Sequence, residues 1–285
     1  GADALVVTAV ESYAEGPPPR LGVTMRLVSA DDEVRIRWID GASRAGDDAP
    51  GAFALHEIPD VRDLERWVIT RLSESLVAAL QGIGPAAPPC KAERRFRPRS
   101  GYRSALLDAS EPRSVAVVPL RNLTGRRGAG DSVALALLRQ LANRSSYRVV
   151  EPGVMREVLL QQRIVMEGGV SLDQVRTIVG ALEADLVVAG DVLVFDDATA
   201  GGTPRVQFMA TVLDGSSGRI VWQSTSESRG DDGVFFFDAG TVRTAEVLAC
   251  RMASSMVAAM STAEIVRTPV PSAADRQARA RRGAR

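Results

Sequence analysis

Ser43-Arg44-Ala45-Gly46-Asp47-Asp48, followed by Gly51 and Phe53, is written again as Ser228-Arg229-Gly230-Asp231-Asp232, followed by Gly233 and Phe235. Two more passages repeat with it. Leu5-Val6-Val7 matches Leu186-Val187-Val188, and Ser75-Leu76-Val77-Ala78-Ala79-Leu80 matches Ser255-Met256-Val257-Ala258-Ala259-Met260. All keep a separation of about 180 residues, and self-similarity at a fixed separation marks a repeated structural unit. One unit read well therefore gives the organisation of most of the chain.

The second copy is the fuller one, and its expected span is residues 113–262. Ser114 to Pro119 is a short apolar run that reads as a buried strand. Asp131 or Ser132 is expected to cap a helix with Ala134, Leu137, Leu138 and Leu141 on one face. Tyr147 to Val150 reads as a strand, and Pro152 suits the first turn of a helix running through Val154, Val158 and Gln161. Ser171-Leu172-Asp173-Gln174 is a capping box ahead of Val175, Ile178, Val179 and Leu182. Three strands follow: Asp185 to Phe195, Val206 to Leu213 and Ile220 to Ser226, turning at Ala200-Gly201-Gly202 and at Asp214 to Gly218. A helix from about Gly240 to Met260 closes the unit, with Ala245, Leu248, Met252, Met256 and Met260 inward.

The first copy, residues 1–80, holds only the closing portion. Its strands are Ala4 to Tyr13, Leu21 to Val28 and Val34 to Ile39, and its helix spans about Asp60 to Leu80. A half-unit leaves a sheet face bare, which costs about 25 cal/mol per Å² of apolar surface left in water. A cover over Leu5, Val7, Val23 and Met25 is therefore expected, from an upstream segment first, otherwise from the second copy or a neighbouring subunit. Residues 81–112 read as a linker, stiffened by Pro85-Ala86-Ala87-Pro88-Pro89. Within it Arg94, Arg95, Arg97, Arg99 and Arg103 alternate with Phe96 and Tyr102, a composition suited to a solvated linker or to phosphates and acidic lipid headgroups. Residues 263–285 are a basic tail with no core of their own, expected to be disordered.

The fold class is thus α/β (α+β): a mixed sheet with an antiparallel three-stranded meander packed by helices, repeated. Lys plus Arg and Asp plus Glu each number 35, so the net charge is zero, which argues against a dedicated nucleic-acid binder. No apolar run approaches the ~18 residues of a membrane span. The chain opens Gly1-Ala2 rather than with Met, so the lack of a visible signal segment says little about destination.

Candidate chemistry thins out on inspection. Asn122 to Gly130 lies between a strand and a helix, where phosphate loops sit, but lacks both GxxxxGK[ST] and GxGxxG spacing. Arg126 and Arg127 are expected to hold an anion weakly at most. His56 is the one histidine and reads as a surface loop residue rather than a general base. The pairs Asp47-Asp48 and Asp231-Asp232 read as turn-shaping beside Phe53 and Phe235. Cys90 and Cys250, without CxxC spacing, make no zinc site; they read as unpaired thiols with Cys250 in a core, a long-range disulfide being the alternative. No catalytic, cofactor-binding or metal-binding residue is assigned, and no cofactor is expected.

The strand ending in Pro119 with Asn122-Leu123-Thr124 after it resembles the opening of the TolB N-terminal-like domain. So do the helix to Ala142-Asn143, the strand Tyr147 to Glu151, the passage Ala184 to Asp191, and the turn Gly218-Arg219-Ile220-Val221-Trp222. That group includes the curli secretion protein CsgG, the penicillin-binding-protein activator LpoB and the middle domain of the flagellar protein FlgT. The resemblance covers about Arg113 to Met260 in full and Asp3 to Leu80 in part. It implies a non-enzymatic protein of the Gram-negative periplasm, associated with lipoproteins or the outer membrane. Such a protein acts as scaffold or accessory subunit of an envelope machine, with other envelope proteins or its own copies as partners. The short hairpins at Asp196 to Pro204 and Asp214 to Gly218 depart from the pore-forming members, since a transmembrane strand needs about 9–11 residues. Two alternatives remain: an LpoB-like regulator of a peptidoglycan synthase, and a cytosolic nucleotide-binding regulator or enzyme. Peripheral membrane contact through the basic linker or tail is a further expectation.

Overall fold

The computed structural model describes residues 2–31, 33–48, 57–108, 111–164, 171–198, 202–234 and 240–261. It is an α+β protein with two sheets. β1 (Ala4–Ala14), β2 (Arg20–Ser29) and β3 (Ile36–Ala45) form an antiparallel sheet in the order β1-β2-β3, followed by α1 (Val61–Leu80). β4 (Ser100–Arg103), β5 (Arg113–Val117) and β6 (Arg121–Asn122) precede α2 (Ala129–Ala142). β7 (Tyr147–Val149), α3 (Pro152–Gln161) and α4 (Leu172–Leu182) follow, then β8 (Leu186–Asp196), β9 (Arg205–Asp214), β10 (Ile220–Arg229) and α5 (Ala245–Ser261). The second sheet has the order β4-β10-β9-β8-β5-β7, with β6 on β8; β5 runs parallel to both its neighbours.

Alternation in the strands decides which helix lies where. Leu21 and Val23 of β2 face the Leu64, Val68 and Leu72 stripe of α1, residues four apart on one helix face. In the second sheet Val206, Phe208, Ala210 and Val212 of β9 face α2 and α5. The other face, through Val187 and Leu213, packs on Met155, Leu159, Val175 and Ile178 of α3 and α4. The helices of the second unit are therefore split between opposite faces of its sheet, α2 and α5 on one and α3 and α4 on the other.

Both meander–helix units turn the same corner. Asp48 accepts from the Ala45 amide at 3.0 Å and Asp232 from the Arg229 amide at 2.8 Å. Gly46 donates to the Pro19 carbonyl and accepts from Ile58, as Gly230 does with Pro204 and Val242. A Cβ on Gly46 would collide with the Ile58 carbonyl oxygen, and one on Gly230 with that of Val242. Glycine is required at both corners by the close approach. The ladders then set Leu5 opposite Val28 and Val187 opposite Leu213, so Leu5 corresponds to Val187, one residue away from the match read in sequence. The helices slip too: Asp60 and Thr244 hold the same cap position, so Leu72 corresponds to Met256 rather than Met252.

Several expectations need correction. Residues 81–112 do not hang free as a linker. Phe96 and Leu107 are buried in the second core, and β4 adds an antiparallel strand to β10, Trp222 opposite Arg103. Ile39 donates to the Ala86 carbonyl at 2.8 Å, so the Pro-rich stretch lies along the edge of β3. Apolar residues inside a basic stretch have a core to reach, and that outweighs composition. Cys90 and Cys250 are not free thiols but form a disulfide across 160 residues. The N-cap of α2 is Gly128 at φ 76°, in the left-handed region, which starts the helix before Asp131 and Ser132. α5 begins at Ala245, later than Gly240, because the corner at Gly230 and Val242 occupies the intervening chain. His56, Phe53, Phe235 and the tail lie outside the described residues.

Candidate functional site at the seam between the sheets

α2 and α5 are buried on two sides: the second sheet lies on one and the first sheet on the other. The face of β2 that meets them alternates with the one under α1 and carries Gly22, Thr24 and Arg26. A polar strand face against a helix layer needs partners for every charge, and the seam supplies them. Arg139, on α2 within an otherwise apolar stripe, pairs with Asp40 of β3, which is 0% exposed. The same guanidinium donates to the carbonyls of Pro88 at 2.9 Å and Gly41 at 3.1 Å. Arg26 meets Glu151 at 2.7 Å, and Glu151 also caps α3 by accepting from the Gly153 and Val154 amides. Arg126 joins Glu246 of α5 and Asp197 at 2.6 Å, lies 4.7 Å over the Phe195 ring, and donates to the Glu11 carbonyl. Ser43 donates to Glu246 at 3.2 Å.

Glu11 is the titrating member. It is the bulged residue of β1, where the register slips between Val10 and Ser12, and a bulge re-aims a side chain. Its carboxylate accepts from Thr24. Burial pushes its pKa up to about 7, helped by the charge of Glu246 and opposed by the Thr24 and Ser132 hydroxyls and by Arg139. A cavity of 50 Å³ beside it is lined by Arg139, Glu246 and the Cys90–Cys250 bridge. A larger cleft of 690 Å³ opens on its other side, between β1 and the starts of α2 and α3. Val117, Leu138, Met155 and Leu159 make its apolar wall, with Arg127 and Arg156 exposed at the mouth.

The candidates read from the sequence fall differently from one another. Asn122 of the supposed phosphate loop spends its side chain on Thr124 and the Arg126 carbonyl, and Arg126 is committed to the seam. Of the two loop arginines, Arg127 stays exposed. Of the basic stretch, Arg95 holds the carbonyls of Asp232 and Gly240, and Arg103 holds that of Met260. Arg94, Arg97 and Tyr102 face outward. The seam residues Glu11, Arg26, Asp40, Arg139 and Glu246 do not stand out in sequence. The available signal is a charge interrupting an apolar period, as Glu11 and Arg26 do in their strands and Arg139 in its helix.

What this arrangement does chemically is fix two units in one register and titrate near neutrality. Among the described residues no cluster of three or more His, Cys, Asp or Glu is placed to hold a metal ion. No helix among them is long and apolar enough to cross a membrane.

No family model matches the chain, and no curated protein matches it. Solved structures do overlap with it in part. A PelC dodecamer from Paraburkholderia phytofirmans shares 20% identity at a TM-score of 0.37, covering 58% of this chain and 97% of that one. Lipoprotein GNA1162 from Neisseria meningitidis shares 19% at 0.34, over 41% of this chain and 81% of that one. The LpoB C-terminal domain from Salmonella enterica shares 14% at 0.31, over 42% and 84%. Overlaps at these scores are too partial to bear on function.

Proposed function

We propose that this chain is a non-catalytic scaffold or accessory subunit of a Gram-negative envelope assembly, working in the periplasm at the outer membrane by binding other proteins and copies of itself. The observation that carries the reading is the Cys90–Cys250 bridge, which clamps residues 86–107 over the second unit. A structural disulfide of this kind belongs to an oxidising compartment. The sequence resemblance to TolB N-terminal-like domains points the same way. The strong charges that catalysis would need are committed to one another in the seam, which favours a binding role. Lys91, Arg94 and Arg97 face outward and suit peripheral contact with acidic headgroups.

The test is thiol labelling of the protein from intact cells together with fractionation. Labelling of Cys90 and Cys250 only after reduction, in the periplasmic fraction, is the expected result; free thiols in the cytosol would overturn the reading. Hydrolysis of ATP or a peptide by the purified protein, lost with one point mutation, would overturn its non-catalytic part. Cross-linking and mass spectrometry from native membranes then separates a scaffold from an LpoB-like regulator, which should bring down a peptidoglycan synthase.

A further inference from the structure

The seam holds more acid than base. Glu11, Asp40, Glu151, Asp197 and Glu246 stand there against Arg26, Arg71, Arg126 and Arg139. Each guanidinium is matched to one of the other carboxylates: Arg26 to Glu151, Arg71 and Arg139 to Asp40, and Arg126 to Glu246 and Asp197. Glu11 is left outside these pairs. Its partners are the hydroxyls of Thr24 on β2 and Ser132 on α2, and the charge of Glu246 on α5 opposes its own. A neutral carboxyl suits two hydroxyls, because it can accept from one and donate to the other, whereas a carboxylate only accepts. A proton on Glu11 also brings the seam into charge balance, and unmatched charge is what a dry interface excludes. On the cleft side the sign reverses: Arg26, Arg127 and Arg156 line it, against Asp131 of α2. Glu11 stands at the boundary between the two, touching both the small cavity and the cleft.

We propose that Glu11 is a proton-operated latch between the two units. Protonated, it stays between Thr24 and Ser132 and closes β1 and β2 on α2. On losing its proton it turns out of the seam toward Arg127 and Arg156 in the cleft, and the first sheet loosens on α2 and α5. The bulge makes that turn possible. Val10 pairs with Val23 and Ser12 with Gly22, so Glu11 is unpaired in the ladder and its movement breaks no strand bond. Arg139, committed to Asp40, and Arg126, committed to Glu246, stay behind and hold the two units in register. Burial of the carboxyl, which raises its pKa to about 7, sets the working range near neutrality.

The test is hydrogen exchange on the full 285-residue chain from about pH 5 to about pH 8, read as protection factors so that the intrinsic pH dependence of exchange drops out. Protection of the β1, β2 and β3 amides is expected to fall by about tenfold or more, while β9 and β10 keep theirs. The Ile39 amide, which donates across to the Ala86 carbonyl, should follow the first sheet. The Glu11 carboxyl carbon, followed by NMR, should titrate with the same midpoint, which tests the latch even where a variant folds poorly. Glu11→Gln should remove the loss of protection, and Arg127→Glu should move its midpoint to higher pH. Asp48→Asn should leave the loss in place, although Asp48 is the other carboxyl of the first unit raised by burial. An equal loss in both sheets overturns the proposal, as does a loss that survives Glu11→Gln or disappears with Asp48→Asn. A Glu11 midpoint in the ordinary carboxylate range, or one that does not respond to Arg127→Glu, overturns it as well.

Discussion

Val10 and Val192 stand at the same place in the two meander–helix units, one 63% exposed and the other 0%. The strands around them are alike, and so are the corners at Gly46 and Gly230. What differs is the company: β6 runs beside Val192 and α2 packs on it in one core, whereas Val10 sits on the end strand of its sheet at the wall of an open cleft. Burial is set by the elements that arrive next to a strand, and the strand's own pattern only permits it. The matched pair gives the largest predicted contrast. Val192→Asp should cost more than about 4 kcal/mol, because an unpaired carboxylate enters a closed core. Val10→Asp should stay within about 0.5 kcal/mol. Urea denaturation of both variants measures the difference, and equal effects would break the comparison.

The two units differ also in how each is held. The first depends on its own α1 on one face and on the seam at the other, so removing a seam charge should loosen it selectively. Arg139→Met leaves Asp40 buried with only Arg71, at 3.5 Å, to offset its charge. Breaking a buried pair from one side costs about 3–5 kcal/mol, and Arg71 places this case toward the lower end. Asp40→Leu combined with Arg139→Met should recover much of the loss. A denaturation curve with the first-sheet amides exchanging ahead of the second would sharpen the contrast; a single unshifted transition would contradict it.

The second unit has the clamp. Replacing both Cys90 and Cys250 by Ser should lower its stability by about 2–4 kcal/mol, since a long loop loses its constraint in the unfolded chain. The effect belongs to residues 86–107 and α5, and calorimetry with and without reductant measures it. Retained stability on reduction would mean that Phe96 and β4 hold the strap unaided.

Much of this was legible in the sequence, and the exceptions have physical causes. Strand alternation and the capping box at Ser171 gave every helix and nearly every strand, because period is a local property. The matching words at Leu5, Ser43 and Ser75 were legible as well, but the ladders and helix caps place the equivalent positions one residue off at Leu5 and one turn off at Leu72. Short apolar words such as Leu-Val-Val align equally well in either register, and only the ladder decides. β4 escapes a sequence reading because Ser100-Gly101-Tyr102-Arg103 has little strand character, and its pairing depends on β10 being available. The disulfide joins residues far apart in sequence, which no spacing rule captures. The seam escapes for a related reason: Arg139 and Asp40 look like interruptions until the two sheets are laid on α2.

Glu11 carries the smallest expected effect and the most diagnostic one. Its counterpart is Leu193, the bulged residue of β8, where the register slips between Val192 and Val194. One bulge aims a carboxyl into the seam and the other leaves a leucine 41% exposed. A carboxyl whose pKa rises on folding binds its proton more tightly in the native state. Between the ordinary carboxylate range and about 7, the folded chain then holds more protons than the unfolded one. Stability is therefore highest below that window and falls as pH rises through it. Asp48, pushed up to about 6 by burial, contributes with the same sign. Glu11→Gln keeps an oxygen for the Thr24 hydroxyl and removes the titration. At pH above about 7.5 it should be more stable than the parent by about 1–2 kcal/mol, and below about pH 5 the two should agree. Leu193→Glu, at the matching bulge, should add no such slope. Urea midpoints at several pH values decide it: a parent whose stability is flat or rising across that window does not hold the Glu11 proton, and the two bulges would then be electrostatically equivalent.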